Sequence, residues 1–171
     1  MSYKSRGVAR KARASSLFVS HSSRDHRLAW EIVRKLENIG IRCWFAPRDL
    51  RGGTDYRTEI VEAIDSCDAL LVIFSERCNE SPWVYREVAV ADDAGKTIIA
   101  LRIEDAQPKR GLRLCLANLQ QVDAFRARDD AIREVLRALH PQAERRGARR
   151  NDDRGMRRAR LRRLGSAETA A

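Results

Sequence analysis

Glu87 stands four residues after Trp83 in Ser81-Pro-Trp-Val-Tyr-Arg-Glu87, one helical turn away on the same face. A carboxylate can stabilise a developing positive charge, and an aromatic ring beside it can stack on a flat ring or exclude water. By residue type alone, Glu87 reads as a solvated helix glutamate and Trp83 as core. His21 follows the apolar run Leu17-Phe-Val-Ser20 and titrates near neutrality, as acid–base work requires. Cys78 is a nucleophile by type, but no histidine lies near it in sequence. A passive thiol is the expectation, because reactivity needs an electropositive setting. The four cysteines, at 43, 67, 78 and 115, show no C-x-x-C spacing. The three histidines complete no zinc pattern, so no metal site is expected. Neither G-x-x-x-x-G-K-[ST] nor G-x-G-x-x-G occurs, and a nucleotide triphosphatase or dehydrogenase lacks support.

These residues need a frame to hold them. Leu17 to Ser20 reads as a buried strand, followed by a helix start at Ser22-Ser-Arg-Asp25. Leu28, Ile32, Val33 and Leu36 recur at helical spacing, and Gly40 can take the left-handed cap position. Ile41–Phe45 is a second strand, and Pro47 to Asp55 a loop loosened by Gly52-Gly53. Ile60, Val61 and Ile64 mark a second helix. Ala69–Phe74 has no polar residue, as expected of a central parallel strand covered on both faces. Ser81 caps a third helix with Pro82 at its first position. Val84, Val88 and Ala91 form that helix's core face, and Gly95 ends it. Thr97–Ile103 is a fourth strand, 110–120 is weakly helical, and Gln121–Phe125 is a short fifth strand. Ile132, Val135, Leu136 and Leu139 mark a last amphipathic helix. Alternating strands and helices with short connections predict an α/β domain with about five parallel strands and helices on both faces. In such sheets ligands sit at the carboxyl ends of the strands.

The formal net charge is +10, which at first sight suggests nucleic acid. Residues 1–16 carry +5 and residues 141–171 carry +6, which leaves 17–140 at −1. The basic excess lies in the tails, so a nucleic-acid-binding core is not indicated. Residues 1–14 and 141–171 are expected to be disordered tails around a domain at 15–140. The Arg-rich stretch has too few apolar residues to fold alone. Arg157–Arg163 is dense enough to hold nucleic acid or another anionic surface by counterion release, against the plainer reading of a solvated extension. Buried free thiols at Cys43 and Cys67 fit a reduced, cytoplasmic compartment. The longest strongly apolar run, 69–74, is too short to span a bilayer.

Four segments together resemble the TIR (Toll/interleukin-1 receptor) domain family, and in particular a bacterial branch. They are Phe18-Val-Ser-His-Ser-Ser-Arg-Asp25; Gly40-Ile-Arg-Cys-Trp-Phe-Ala-Pro-Arg-Asp49 with Gly52-Gly53; Ser81-Pro-Trp-Val-Tyr-Arg-Glu87; and Arg102-Ile-Glu-Asp105. They stand in the family's order and spacing over about three quarters of the chain. One departure is Ala46-Pro47, where many relatives carry an acidic residue. The resemblance implies a flavodoxin-like fold and an activity: cleavage of NAD at the nicotinamide–ribose bond. The family's catalytic glutamate falls on Glu87.

The resemblance also implies that NAD is substrate rather than cofactor. Trp83, Phe18, Ser20, His21 and Arg48 are its candidate contacts, with Arg24 near the same strand end and Arg51 in the same loop as Arg48. Each has a plainer alternative: Trp83 as core, Ser20 and Ser22 as caps of the following helix, Arg48 and Arg51 as solvated charges. Many relatives have Tyr at the position of His21, which weakens an acid–base role there. The products implied are nicotinamide with ADP-ribose or a cyclic isomer, in bacterial anti-phage defence. The alternative is an adaptor that only assembles with other TIR domains through the 46–55 loop and facing helices. The implied partners are further TIR domains, which in the family often complete the active site, and a separately encoded sensor or effector.

Overall fold

The computed structural model describes residues 15–46, 48–50, 55–116 and 119–139. The expectations for the two tails, Pro47, Arg51 and Gly52-Gly53 lie outside the described residues. Five strands form one parallel sheet: β1 (Ser16–His21), β2 (Arg42–Phe45), β3 (Ala69–Phe74), β4 (Thr97–Arg102) and β5 (Gln120–Asp123). Among the described residues five helices connect or follow them: α1 (His26–Asn38), α2 (Tyr56–Ser66), α3 (Pro82–Asp93), α4 (Arg110–Leu116) and α5 (Arg128–Leu139). Short 3-10 turns, Ser23–Asp25 and Glu76–Glu80, follow β1 and β3.

The strand order is β2-β1-β3-β4-β5, and all four neighbouring pairs are parallel. The chain reverses its direction of winding between β1 and β3, and a crevice opens at such a switch point. Alternation along the strands sends side chains to two separate cores. Leu17, Val19, Leu71, Ile73, Ile99 and Leu101 pack on one face with Ile32, Val33 and Leu36 of α1 and Val135 of α5. Phe18, Leu70, Val72 and Phe74 pack on the other with Ile60 and Ile64 of α2, Val84 and Val88 of α3, and Leu112 and Leu116 of α4. All six residues of β3 are buried, as its uninterrupted apolar run predicts.

Local signals place most element ends. Gly40 adopts φ +88° and Gly95 φ +63°, a region glycine enters without a Cβ penalty. Ser81 accepts a hydrogen bond from Val84 N and Pro82 begins α3. Several strand ends shift by one residue from the sequence reading, and two ends shift further. The N–H groups of Ala124 and Phe125 both bond to Arg102 O. That turn stops β5 at Asp123 rather than Phe125. The first helix begins at His26, because 23–25 wind as a 3-10 turn.

Candidate active site

Val84, Val88 and Ala91 turn α3 towards the sheet, and all three are fully buried. Glu87 stands three residues after Val84, so helical geometry carries it to the same face. It is 8 % exposed, not the solvated glutamate that residue type alone suggests. Beneath it lies β1, where Ser20 points to the same side as Phe18 and pairs in register with Val72. Ser20 Oγ donates to Glu87 Oε2 at 2.5 Å. Burial pushes the Glu87 carboxyl up to about 7, and the Ser20 bond acts the other way. A carboxylic acid that titrates near neutrality can hold positive charge or exchange a proton at working pH.

Aromatic rings surround this side of the sheet. Trp83, one turn before Glu87, is half-buried against the α2–α3–α4 core. Its ring lies 5.2 Å from Tyr56, and the Arg86 guanidinium sits 5.0 Å above it. Phe18 is 1 % exposed and covered by Trp44, whose ring stacks on it at 4.7 Å and 13°. Any ring that approaches from outside therefore meets Trp44 before Phe18. Trp44 also lines an open cleft of about 900 Å³ between β2 and α2, with Asp49, Asp55, Thr58, Glu59 and Glu62. Glu87 is not in the lining of that cleft. The sequence reading used Trp44 only as a strand residue. The signal was its parity: Cys43 and Phe45 go to the opposite core, so Trp44 must face α2.

His21 and Arg48 are not brought to Glu87. His21 shares the parity of Leu17 and Val19, and its ring stacks on Phe45 at 4.7 Å on the α1 side. Its Nε2 lies 3.1 Å from His26 Nδ1, within a hydrogen bond. Burial and the neighbouring His26 lower the His21 imidazole to about 4. Arg48 donates to Glu37 at 2.8 Å, to Asp49 at 2.7 Å and to Cys43 O at 2.5 Å. Its guanidinium lies 5.4 Å above Trp30. These bonds hold the turn after β2 and keep the guanidinium charged. Arg24 forms an exposed pair with Glu80 at 3.3 Å. Ser22 occupies the cap position of the first 3-10 turn without a side-chain cap bond.

A second polar cluster fixes the rim, and the sequence reading missed it. Asp25 is buried. It accepts from Ser75 Oγ at 2.5 Å and from Arg77 Nη1 at 2.6 Å. The bonds tie the 3-10 turn after β1 to the one after β3, across the switch point. Cys78 is fully buried and donates to Ile73 O at 3.3 Å. Burial raises its thiol, so it is protonated and passive, as is Cys43, pushed up to about 12. All four cysteines are free, and Cys43 and Cys67 are buried. Among the described residues no group of three potential ligands is placed to hold a metal ion. No described helix is long and apolar enough to cross a membrane.

Comparison with known proteins adds three findings. A family model described as the TIR domain matches residues 17–137. The TIR domain of the Toll-related receptor TRR-2 from the lower metazoan Hydra magnipapillata superposes with a TM-score of 0.60 at 17 % identity. That match covers 72 % of this chain and 97 % of the other. The TIR domains of the activated Roq1 resistosome, which directly recognises the pathogen effector XopQ, superpose with a TM-score of 0.50 at 18 % identity, covering 74 % and 80 %. Both likenesses are of fold. No curated protein matches the chain in sequence.

Proposed function

The chain belongs to the TIR-domain family, and on that premise we propose that it cleaves NAD at the nicotinamide–ribose bond, with Glu87 as the catalytic carboxylate. The observation that supports this reading most is the setting of Glu87. It is a carboxylate buried on the sheet-facing side of α3, close to the switch point, with a serine hydroxyl as its partner. Burial raises its carboxyl and that hydroxyl opposes the rise, and among the described residues no cation bonds to it. An ionised carboxylate in such a place is stabilised by a ligand that brings positive charge. The nicotinamide ring of NAD carries one, and that charge passes to the ribose as the bond breaks.

The chemistry fits one carboxylate. The C1′–N bond breaks, and its electron pair leaves with nicotinamide, which departs as a neutral base and needs no general acid. The ribose carbon becomes oxocarbenium-like, as in glycoside hydrolysis. Glu87 stabilises that charge and holds ribose hydroxyls. Water then adds to C1′ and releases a proton, giving ADP-ribose. Alternatively a nitrogen of the adenine adds, giving a cyclic isomer. Trp44 and Trp83 offer faces on which the nicotinamide or adenine can stack. Phe18 supports Trp44 from beneath. Further TIR domains are the proposed partners, since a neighbouring copy can complete the site. A role in bacterial anti-phage defence, with a separate sensor or effector, rests on the sequence motifs alone.

A docking role has its own observation. Leu114 on α4 is 86 % exposed, and Tyr85 on α3 is 46 % exposed. Tyr85 packs against Gly111, where a Cβ would stand 2.3 Å from its ring. An apolar patch of this kind suits a protein partner. The two roles separate experimentally. Purified protein at high concentration with a crowding agent is incubated with NAD, and the products are resolved by chromatography. Nicotinamide release by wild type that is absent in Glu87→Ala supports the enzyme, and the second product separates hydrolase from cyclase. No release by concentrated wild type would favour the docking module.

A further inference from the structure

We infer that Ser20 is the positioning residue of the site: its hydroxyl, carried on a rigid strand, fixes the orientation of the Glu87 carboxylate. The inference rests on the reading of Glu87 as the reacting carboxylate. Sequence alone leaves Ser20 two other roles, contact with substrate or a cap for the following helix. The geometry favours neither. The first 3-10 turn takes Ser22 as its cap residue, and α1 takes Asp25. The single hydroxyl proton of Ser20 already points at Glu87 Oε2 over 2.5 Å, the length of a strong O–H···O⁻ bond. Ser20 is 1 % exposed and held in register opposite Val72 of β3 by the β1–β3 ladder. A rigid strand thus carries the donor, and a flexible glutamate side chain carries the acceptor.

Apolar side chains surround this bond, and the Arg86 guanidinium lies outside them over Trp83. The side chains that pack on the same core are Phe18 from β1, Val72 and Phe74 from β3, Ile98 from β4, Ile60 and Ile64 from α2, and Leu112 from α4. The thiols in or against that core are Cys67, Cys78 and Cys115, all raised by burial and so uncharged. The influences on Glu87 are burial, which favours the proton, and Ser20, which opposes it. Removal of the hydroxyl leaves burial unopposed and frees the carboxylate to rotate. Threonine retains the hydroxyl and suits a strand.

The test compares wild type, Ser20→Ala and Ser20→Thr in full-length protein. The Glu87 side-chain carboxyl is followed by carbon NMR across pH, and NAD turnover across the same range. Circular dichroism confirms each fold. In Ser20→Ala the carboxyl midpoint should rise by about one pH unit, a tenfold change in ionisation at fixed pH. The acid limb of kcat should move with it, so that turnover falls far more at pH 6.5 than at pH 9 while KM changes little. Ser20→Thr should restore both. An unchanged midpoint in folded Ser20→Ala would overturn the inference, as would a loss of turnover that is uniform across pH. If the midpoint moves but no variant turns over NAD, Ser20 still governs the carboxylate and the NAD reading of Glu87 fails instead.

Discussion

Ser20 and His21 are neighbours at the end of β1, yet they serve opposite faces of the sheet. On the α3 side, Ser20 meets a single buried carboxylate with apolar surroundings. On the α1 side, His21 meets a second histidine, Phe45 and, beyond it, Trp30 beneath the Arg48 guanidinium. The first side holds an acid driven towards its neutral form by burial. The second holds a base driven towards its neutral form by burial and a neighbouring histidine. On the second side Arg48 is already bonded to Glu37, Asp49 and Cys43 O. On the carboxylate side, Glu87 is bonded to a hydroxyl, and among the described residues no cation bonds to it. Chemistry is expected where a demand is left open, and structure where it is met.

The largest effects should come from α3 itself. Val88 is fully buried, so Val88→Asp should unfold the domain by burying an unpaired charge, read as loss of the circular dichroism signal. Glu87→Ala, one residue away, should abolish nicotinamide release and keep the fold. Equal loss of fold in both would make Glu87 structural and erase the contrast between the faces.

Glu87→Gln sharpens the contrast through stability. The folded carboxyl stands at about 7 against an ordinary 4.5. Between those values the native state holds a proton that the unfolded chain has lost, so wild-type stability falls as pH rises through this window. Glutamine has no such loss. The variant should therefore gain on wild type from pH 4.5 to 7 and hold a plateau above, on the order of 3 kcal/mol. Denaturant melts of both proteins at pH 5 and pH 8 would read it. A gap that is the same at both pH values would mean that Glu87 is not buried as described.

His21→Phe should show the opposite sign. Native His21 stands near 4 against an ordinary 6.5, so the unfolded state takes up the proton first as pH falls through this window. Wild type then loses stability from pH 6.5 down to 4, and the phenylalanine variant should gain on it there, with no titration difference above pH 7. The smallest effect belongs to Arg48→Ala. It removes a half-exposed network and should lower stability by about 1 kcal/mol with turnover per folded molecule unchanged. A selective loss of turnover would return Arg48 to the site.

The sequence was most readable where local physics is decisive. Ser81-Pro82 marks a helix start, Gly40 a left-handed cap and Ala69–Phe74 a strand covered on both faces, and each takes that form. The face assignments were harder. Leu17-Phe-Val is apolar on both sides, so its alternation leaves no trace in hydropathy. Nothing local says that even-numbered residues of β1 meet α3. His21 and Ser20 thus looked like members of one site. The burial of Glu87 lay within reach of helix phase, three residues from Val84, but composition favours a solvated glutamate. The Asp25–Ser75–Arg77 cluster joins residues some fifty positions apart, and no spacing rule reports such a contact. The turn that lets Arg48 reach Cys43 O depends on loop geometry that sequence leaves free.

The central claim is that a buried carboxylate on α3 breaks the nicotinamide–ribose bond. The most direct measurement is nicotinamide release from NAD at pH 8 by concentrated wild type and Glu87→Gln, each verified as folded in the same preparation. Release by wild type and none by the equally or more stable glutamine variant is the predicted result. Equal release by both proteins would contradict the claim.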